Sequence, residues 1–171
     1  MIQLPLIETS VSQQEAHRLR ELAEGALVLE VGSWRGFSTV TMAQVAQRVH
    51  AVDWHRGDEH AGHDESLPQL MANIEAYDVK DRVIVHIGDA ADVLPLLPHR
   101  YFDLAFIDAF HETEAVRRDI EMVLPLVRVY GHIAFHDYGR FGVREAVDDL
   151  WITHAVKQID LTETLMVVRK L

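Results

Sequence analysis

Five acids, Glu30, Asp53, Asp89, Asp108 and Asp137, stand at or just past the ends of short apolar runs. One such acid is commonly the cap of the helix that follows a strand. Five on one rim would repel one another unless a polyhydroxyl ligand, a cation or a positively charged ligand sat among them. A histidine joins the set, His111, three residues beyond Asp108. An imidazole titrates near neutrality and suits the removal of a proton from an acceptor. The bland alternative for His111 is a cap on the helix that follows.

The elements that must position these groups read clearly. Ser12 with Glu15 has the spacing of a capping box, followed by an apolar helix face at Ala16, Leu19 and Leu22, and Gly25 can end that helix. Ala26–Leu29 reads as a first strand. Phe37, Val40, Ala43 and the run Val45–Val49 then read as an amphipathic helix, and His50–Asp53 as a short second strand. Leu67, Leu70, Met71, Ile74 and Tyr77 mark another helix. Val83–Ile87 and Phe102–Asp108 read as strands, with a short helix between them broken by Pro95 and Pro98. Val116, Ile120, Val123, Leu124 and Val127 make the best helical stripe, kinked near its end by Pro125. His132–Asp137 is a fifth strand, and Val143, Ala146, Val147, Leu150 and Trp151 a helix. Ala155–Asp160 and Thr164–Arg169 fit an antiparallel hairpin. The alternation predicts an α/β fold: a Rossmann-like, doubly wound sheet of seven strands, mostly parallel, with an antiparallel C-terminal hairpin and helices on both faces. Residues 1–171 read as a single domain.

Totals narrow the function. Lys and Arg number 16 against 27 Asp and Glu, a formal net charge of −11, which argues against a nucleic-acid partner held through phosphates. No apolar run approaches the ~20 residues needed to span a membrane, and the N-terminus does not read as a signal peptide. There is no cysteine, which excludes a thiol nucleophile and Cys-type metal sites. A cytoplasmic address is expected.

The loop Gly32-Ser33-Trp34-Arg35-Gly36 follows the first strand and precedes a helix. That order brings backbone N–H groups to one spot and suits a nucleotide-like ligand. A dinucleotide needs a middle glycine so that the pyrophosphate can approach. Ser33-Trp34 occupies that place, so a nicotinamide cofactor is disfavoured.

With these motifs in order, the chain resembles the class I S-adenosylmethionine-dependent methyltransferases, and within them the small-molecule O-methyltransferases. The resemblance runs from Leu27 to the terminal hairpin. It implies that Glu30, Gly32, Ser33, Gly36 and Ser38 serve the methionyl half of S-adenosylmethionine, with Glu30 receiving its ammonium. Asp53 would bind the ribose hydroxyls, Trp54 would cover the adenine, and Asp89 with Ala90 would meet the adenine amine. Asp108 would touch both cofactor and acceptor. Phe106–His111 and Phe135–Tyr138 resemble the subgroup in which the position three after the aspartate carries histidine rather than lysine. His111 and Asp108 are then the expected catalytic pair. Metal-dependent relatives hold a divalent ion near these strand ends, so Asp108, His136 and Asp137 are the candidate metal set. A hard Mg²⁺ prefers oxygens, and the imidazole of His136 fits Mn²⁺ or Zn²⁺ better. His136 and Asp137 bonding substrate or each other is the alternative.

Residues 54–66 are rich in acids and histidines, His60 and His63 among them. A solvated surface loop, a metal site and a lid are all compatible with that composition. Only one helix precedes the first strand, so an open acceptor site, or one completed by a second subunit in a homodimer, is expected. The functional expectation is methyl transfer to a hydroxyl of a small molecule. The rival is an S-adenosylmethionine-binding module without catalysis.

Overall fold

The computed structural model describes residues 4–57, 65–153 and 156–171. Loop residues 58–64, with His60 and His63, lie outside them. Among the described residues the strands are β1 (Leu27–Val31), β2 (Arg48–Asp53), β3 (Val83–Ile87), β4 (Phe102–Ile107), β5 (Val127–Phe135), β6 (Val156–Thr162) and β7 (Leu165–Lys170). The helices are α1 (Gln13–Ala23), α2 (Phe37–Ala43), α3 (Leu67–Ala76), α4 (Ala90–Val93), α5 (Thr113–Val123) and α6 (Phe141–Thr153). They form one seven-stranded sheet in the order β3-β2-β1-β4-β5-β7-β6. β1 to β5 pair in parallel, and β7 pairs antiparallel with both β5 and β6. The expected seven-stranded fold is therefore what the chain adopts.

Period-two alternation divides the core into two layers. Leu29, Val31, Ile133, Phe135, Met166 and Val168 face one side, packed with Val116 and Ile120 of α5 and Val147 and Leu150 of α6. Val28, Leu104, Phe106, Ala134 and Val167 face the other, with Leu19 of α1, Val40 of α2 and Leu70 of α3. Strand order reverses between β1 and β4, where a crevice opens at the carboxyl ends of the strands.

Several boundaries differ from the sequence expectation, and β4 and β5 end at Ile107 and Phe135, short of Asp108 and Asp137. α2 stops at Ala43, because Arg48 and Val49 join β2 opposite Leu27 and Val28. α5 ends at Val123, and Val127 pairs with Phe102 in β5 instead of continuing the helical stripe. Pro125 ends that helix rather than kinking it, since proline lacks the N–H that another turn requires. Glu30 is not terminal in β1, for Val31 follows it within the strand.

Candidate active site at the carboxyl ends of the strands

The first loop leaves β1 through Gly32, whose φ of 90° is open to glycine. A Cβ at Gly32 would stand 2.2 Å from the carbonyl oxygen of Asp108, so the two loops touch at backbone. Gly36 also has a positive φ, and a Cβ there would meet only the movable end of Leu70 of α3, Cδ1 at 2.5 Å, so it is the backbone conformation at the start of α2 that calls for glycine. The loop amides are already claimed. Asp53 Oδ2 accepts from Ser33 N at 2.9 Å and Trp34 N at 2.8 Å, and its Oδ1 accepts from His55 N at 2.7 Å. A carboxylate on those N–H groups holds the place a pyrophosphate would need.

A cavity of about 520 Å³ lies over the strand ends, with Gly32, Asp53, Trp54, Asp89, Ala90, Asp108 and His111 in its wall. A smaller pocket of about 40 Å³ adjoins Gly32, with Ser33 and Ser38 in its wall. Asp89 also caps α4, accepting from Ala91 N at 2.8 Å. Glu30 and Gly36 lie behind these walls. Glu30 is fully buried and accepts from Thr39 Oγ1 at 2.5 Å. Burial pushes its carboxyl up to about 8, against the lowering effect of the Ser38 and Thr39 hydroxyls. Its side chain faces the α2 layer, as does Val28, two residues away on the same strand. Glu8, Thr9 and Ser10 join the cavity wall unannounced by any sequence motif. They are held there by an ion pair from Glu8 to Arg35, whose guanidinium lies 4.6 Å from the centre of the Trp34 ring.

Four groups meet at the rim beside β4 and β5. His111 Nε2 is 2.9 Å from Asp137 Oδ2. A carboxylate oxygen can only accept, so Nε2 carries the proton, and in the neutral ring Nδ1 is the basic nitrogen. Asp137 has a φ of 55°, a left-handed conformation that aspartate tolerates. Arg140 Nε lies 3.0 Å from the same Oδ2. His136 turns the other way, into the α1 layer. Its Nδ1 is 3.1 Å from Asp108 Oδ1 and 3.7 Å from Asp137 Oδ2, and its Nε2 is 3.4 Å from Glu15 Oε2. The last contact is an ion pair rather than a good hydrogen bond. Burial alone would lower the His136 pKa, but the Asp108 hydrogen bond and the charges of Asp108, Asp137 and Glu15 outweigh it and raise it to about 9. Glu15, legible in the sequence only as a capping residue, is a further group beside the site. It closes the capping box of α1, and it also accepts from Thr164 N and Oγ1 at 2.9 and 2.7 Å.

This geometry revises the candidate metal set. Among the described residues, Asp108, His111 and Asp137 can offer ligand atoms within 4.8 Å of one another, and His136 is not in the group. Two carboxylates and an imidazole suit Mn²⁺ or Zn²⁺ and fall short of the all-oxygen set that Mg²⁺ favours.

The family described as "Methyltransferase domain" matches residues 29–138, the segment that builds this rim. The chain belongs to that family. A catechol O-methyltransferase of Mycobacterium tuberculosis is 38% identical over 117 residues, covering 64% of this methyltransferase-family chain and 48% of the relative. The match thus spans about half the length of that curated relative. Cofactor-bound Rv0187 from MTB superposes with a TM-score of 0.79 at 25% identity, covering 98% of this chain and 83% of the other. An O-methyltransferase from Bacillus cereus in complex with SAH gives a TM-score of 0.73 at 24% identity, covering 98% and 84%. The class I methyltransferase resemblance is borne out by the family match and by the shared fold.

Proposed function

We propose that this methyltransferase domain moves a methyl group from S-adenosylmethionine to a hydroxyl oxygen of a small molecule. The observation that carries this reading is the His111–Asp137 pair at the wall of the switch-point cavity. When bound, the sulfonium supplies a methyl group already activated for displacement. The residues would divide the remaining work. Asp53 offers acceptor lone pairs to the ribose hydroxyls while it holds the first loop. Trp54 covers the adenine, and Asp89 with Ala90 meets its edge. Gly32, Ser33 and Ser38 border the methionyl end, and Asp108 faces its ammonium. Glu30 acts from beneath, through the Ser38 and Thr39 hydroxyls at the start of α2.

His111 would take the acceptor proton on Nδ1 as the oxygen forms its bond to the methyl carbon, and Asp137 would steady the imidazolium that results. The C–S electron pair leaves with sulfur as S-adenosylhomocysteine. Alignment of the two reacting atoms supplies much of the acceleration in such a transfer.

A second reading has one observation in its favour, the ligand set Asp108, His111 and Asp137. An ion held there would polarise the acceptor oxygen. It would bind at Nε2 and leave the His111 proton on Nδ1, so His111 cannot be both ligand and base. The non-catalytic rival predicts binding of S-adenosylmethionine with no acceptor methylated. Calorimetry with S-adenosylmethionine, S-adenosylhomocysteine and NAD⁺ tests the cofactor, and a screen of hydroxylated acceptors with and without chelator tests the chemistry. Binding of NAD⁺ alone would sink the reading.

A further inference from the structure

The loop between β4 and α5 carries both Asp108 and His111, and it is held between two glycines. Gly32 presses on the peptide of Asp108 from one side. Gly142, in the first turn of α6, presses on the peptide of His111 from the other. A Cβ at Gly142 would lie 2.1 Å from the His111 carbonyl oxygen, 3.2 Å from its carbonyl carbon and 3.0 Å from Thr113 N. All three are backbone atoms, which cannot swing aside as the end of a side chain could. No substitution larger than glycine fits without moving the His111 loop.

The same connection from β5 to α6 grips His111 a second time. Asp137, at its start, holds the ring through Nε2. Beyond it, Glu145 of α6 accepts from Thr113 Oγ1 at 2.8 Å, which ties the start of α5 to α6. Because Nε2 is bonded to Asp137, the free lone pair belongs to Nδ1. That nitrogen is only two bonds from Cβ, so its place in the cavity follows the backbone closely.

We propose that Gly142 is a positioning residue for His111: its missing Cβ lets α6 seat against the His111 carbonyl and so sets where Nδ1 stands. The role rests on the reading of His111 as the base, but the contact itself can be tested without an acceptor. The experiment records the imidazole ¹⁵N resonances of His111 at pH 8, assigned through His111→Gln, in the full chain. Wild type is expected to show the Nε2–H tautomer. Gly142→Ala is expected to lose that signature as the ring parts from Asp137, while calorimetry finds the affinity for S-adenosylhomocysteine within about twofold of wild type. Gly139→Ala is the control, since its Cβ would meet nothing nearer than Thr164 Cγ2 at 3.9 Å. An unchanged His111 spectrum in Gly142→Ala overturns the proposal, and so does a tenfold or greater loss of S-adenosylhomocysteine affinity, which would mean collapse of the whole cavity. Should Gly142→Ala not fold, Glu145→Ala loosens the same seat through Thr113 and is read in the same spectrum. A shift toward averaged tautomers supports the proposal there, and an unchanged spectrum overturns it. Failure of the base reading looks different: His111→Ala would keep full activity while the spectrum of Gly142→Ala still moved.

Discussion

Glu15 on α1 and His136 after β5 meet at 3.4 Å, both almost fully buried, beneath the rim that carries Asp108 and Asp137. This pair ties the N-terminal helix to the candidate site. The His136 ring meets Asp108 on one edge and Glu15 on the other, so it is held as a cation between carboxylates. A buried charge that loses one partner is costly, because water cannot replace it. Glu15→Ala would also strip the acceptor from Thr164 and from Ser12 N. We expect it to destabilise the fold by about 3 kcal/mol, and Glu15→Gln by about half as much, since one oxygen survives. Urea unfolding at pH 7 checks this; equal midpoints for wild type and Glu15→Ala would refute it.

Asp53 should matter twice to the cofactor, once by contact and once through the loop it organises. Asp53→Ala leaves the N–H groups of Ser33 and Trp34 without their acceptor. Losing a carboxylate that accepts several hydrogen bonds costs about 2–3 kcal/mol, or roughly 50-fold in affinity. Calorimetry with S-adenosylhomocysteine should show that loss in Asp53→Ala and a smaller one in Asp53→Asn. Wild-type affinity in Asp53→Ala would remove both assignments.

Glu30 gives a pH dependence with a definite sign. Its pKa rises from 4.5 to about 8 on folding, chiefly through burial. Between those values the folded chain keeps a proton that the unfolded chain has released. Stability is therefore fully present below pH 4.5 and falls as pH climbs through about 8. The contribution lost is on the order of 3–5 kcal/mol, at up to about 1.4 kcal/mol per pH unit. Asp119, buried on α5 and raised to about 6 by desolvation, adds a slope of the same sign. Glu30→Gln should flatten the fall in unfolding free energy between pH 5 and 8, measured in urea. A variant that keeps the wild-type slope would place the titration elsewhere.

How much of this could be read in the chain depends on the kind of signal. Asp53, Asp89, Asp108 and Asp137 were legible because apolar alternation ends at each of them, and all four reach the cavity or its rim. Glu30 misled, since a strand end read one residue early turned an interior acid into a rim acid. His136 also misled. It lies past the end of β5 and is buried against α1, bonding Asp108 and facing Glu15, instead of joining the Asp108, His111 and Asp137 ligand group. Glu15 was legible only as a capping residue, because its contacts to His136 and Thr164 depend on tertiary packing. The share of Gly142 in the site had no sequence signal, for it arises where two connections cross.

The chemistry at His111 separates the base from the metal ligand by a double test. As base, Nδ1 holds the lone pair and Nε2–H stays on Asp137. Removing the ring should lower kcat by about 10²- to 10⁴-fold, the usual worth of a positioned general base, while the affinity for S-adenosylhomocysteine changes little. Chelator should leave wild-type turnover unchanged. Asp137→Asn should lower kcat too, because an amide can accept from Nε2 but cannot balance the imidazolium charge as well. As ligand, the pattern inverts: chelator abolishes turnover, Mn²⁺ restores it, and His111→Ala weakens metal binding measured by calorimetry. Steady-state methyl transfer in wild type, His111→Ala and Asp137→Asn, each with and without chelator, distinguishes the two. Full activity in His111→Ala under both conditions would remove His111 from the chemistry altogether.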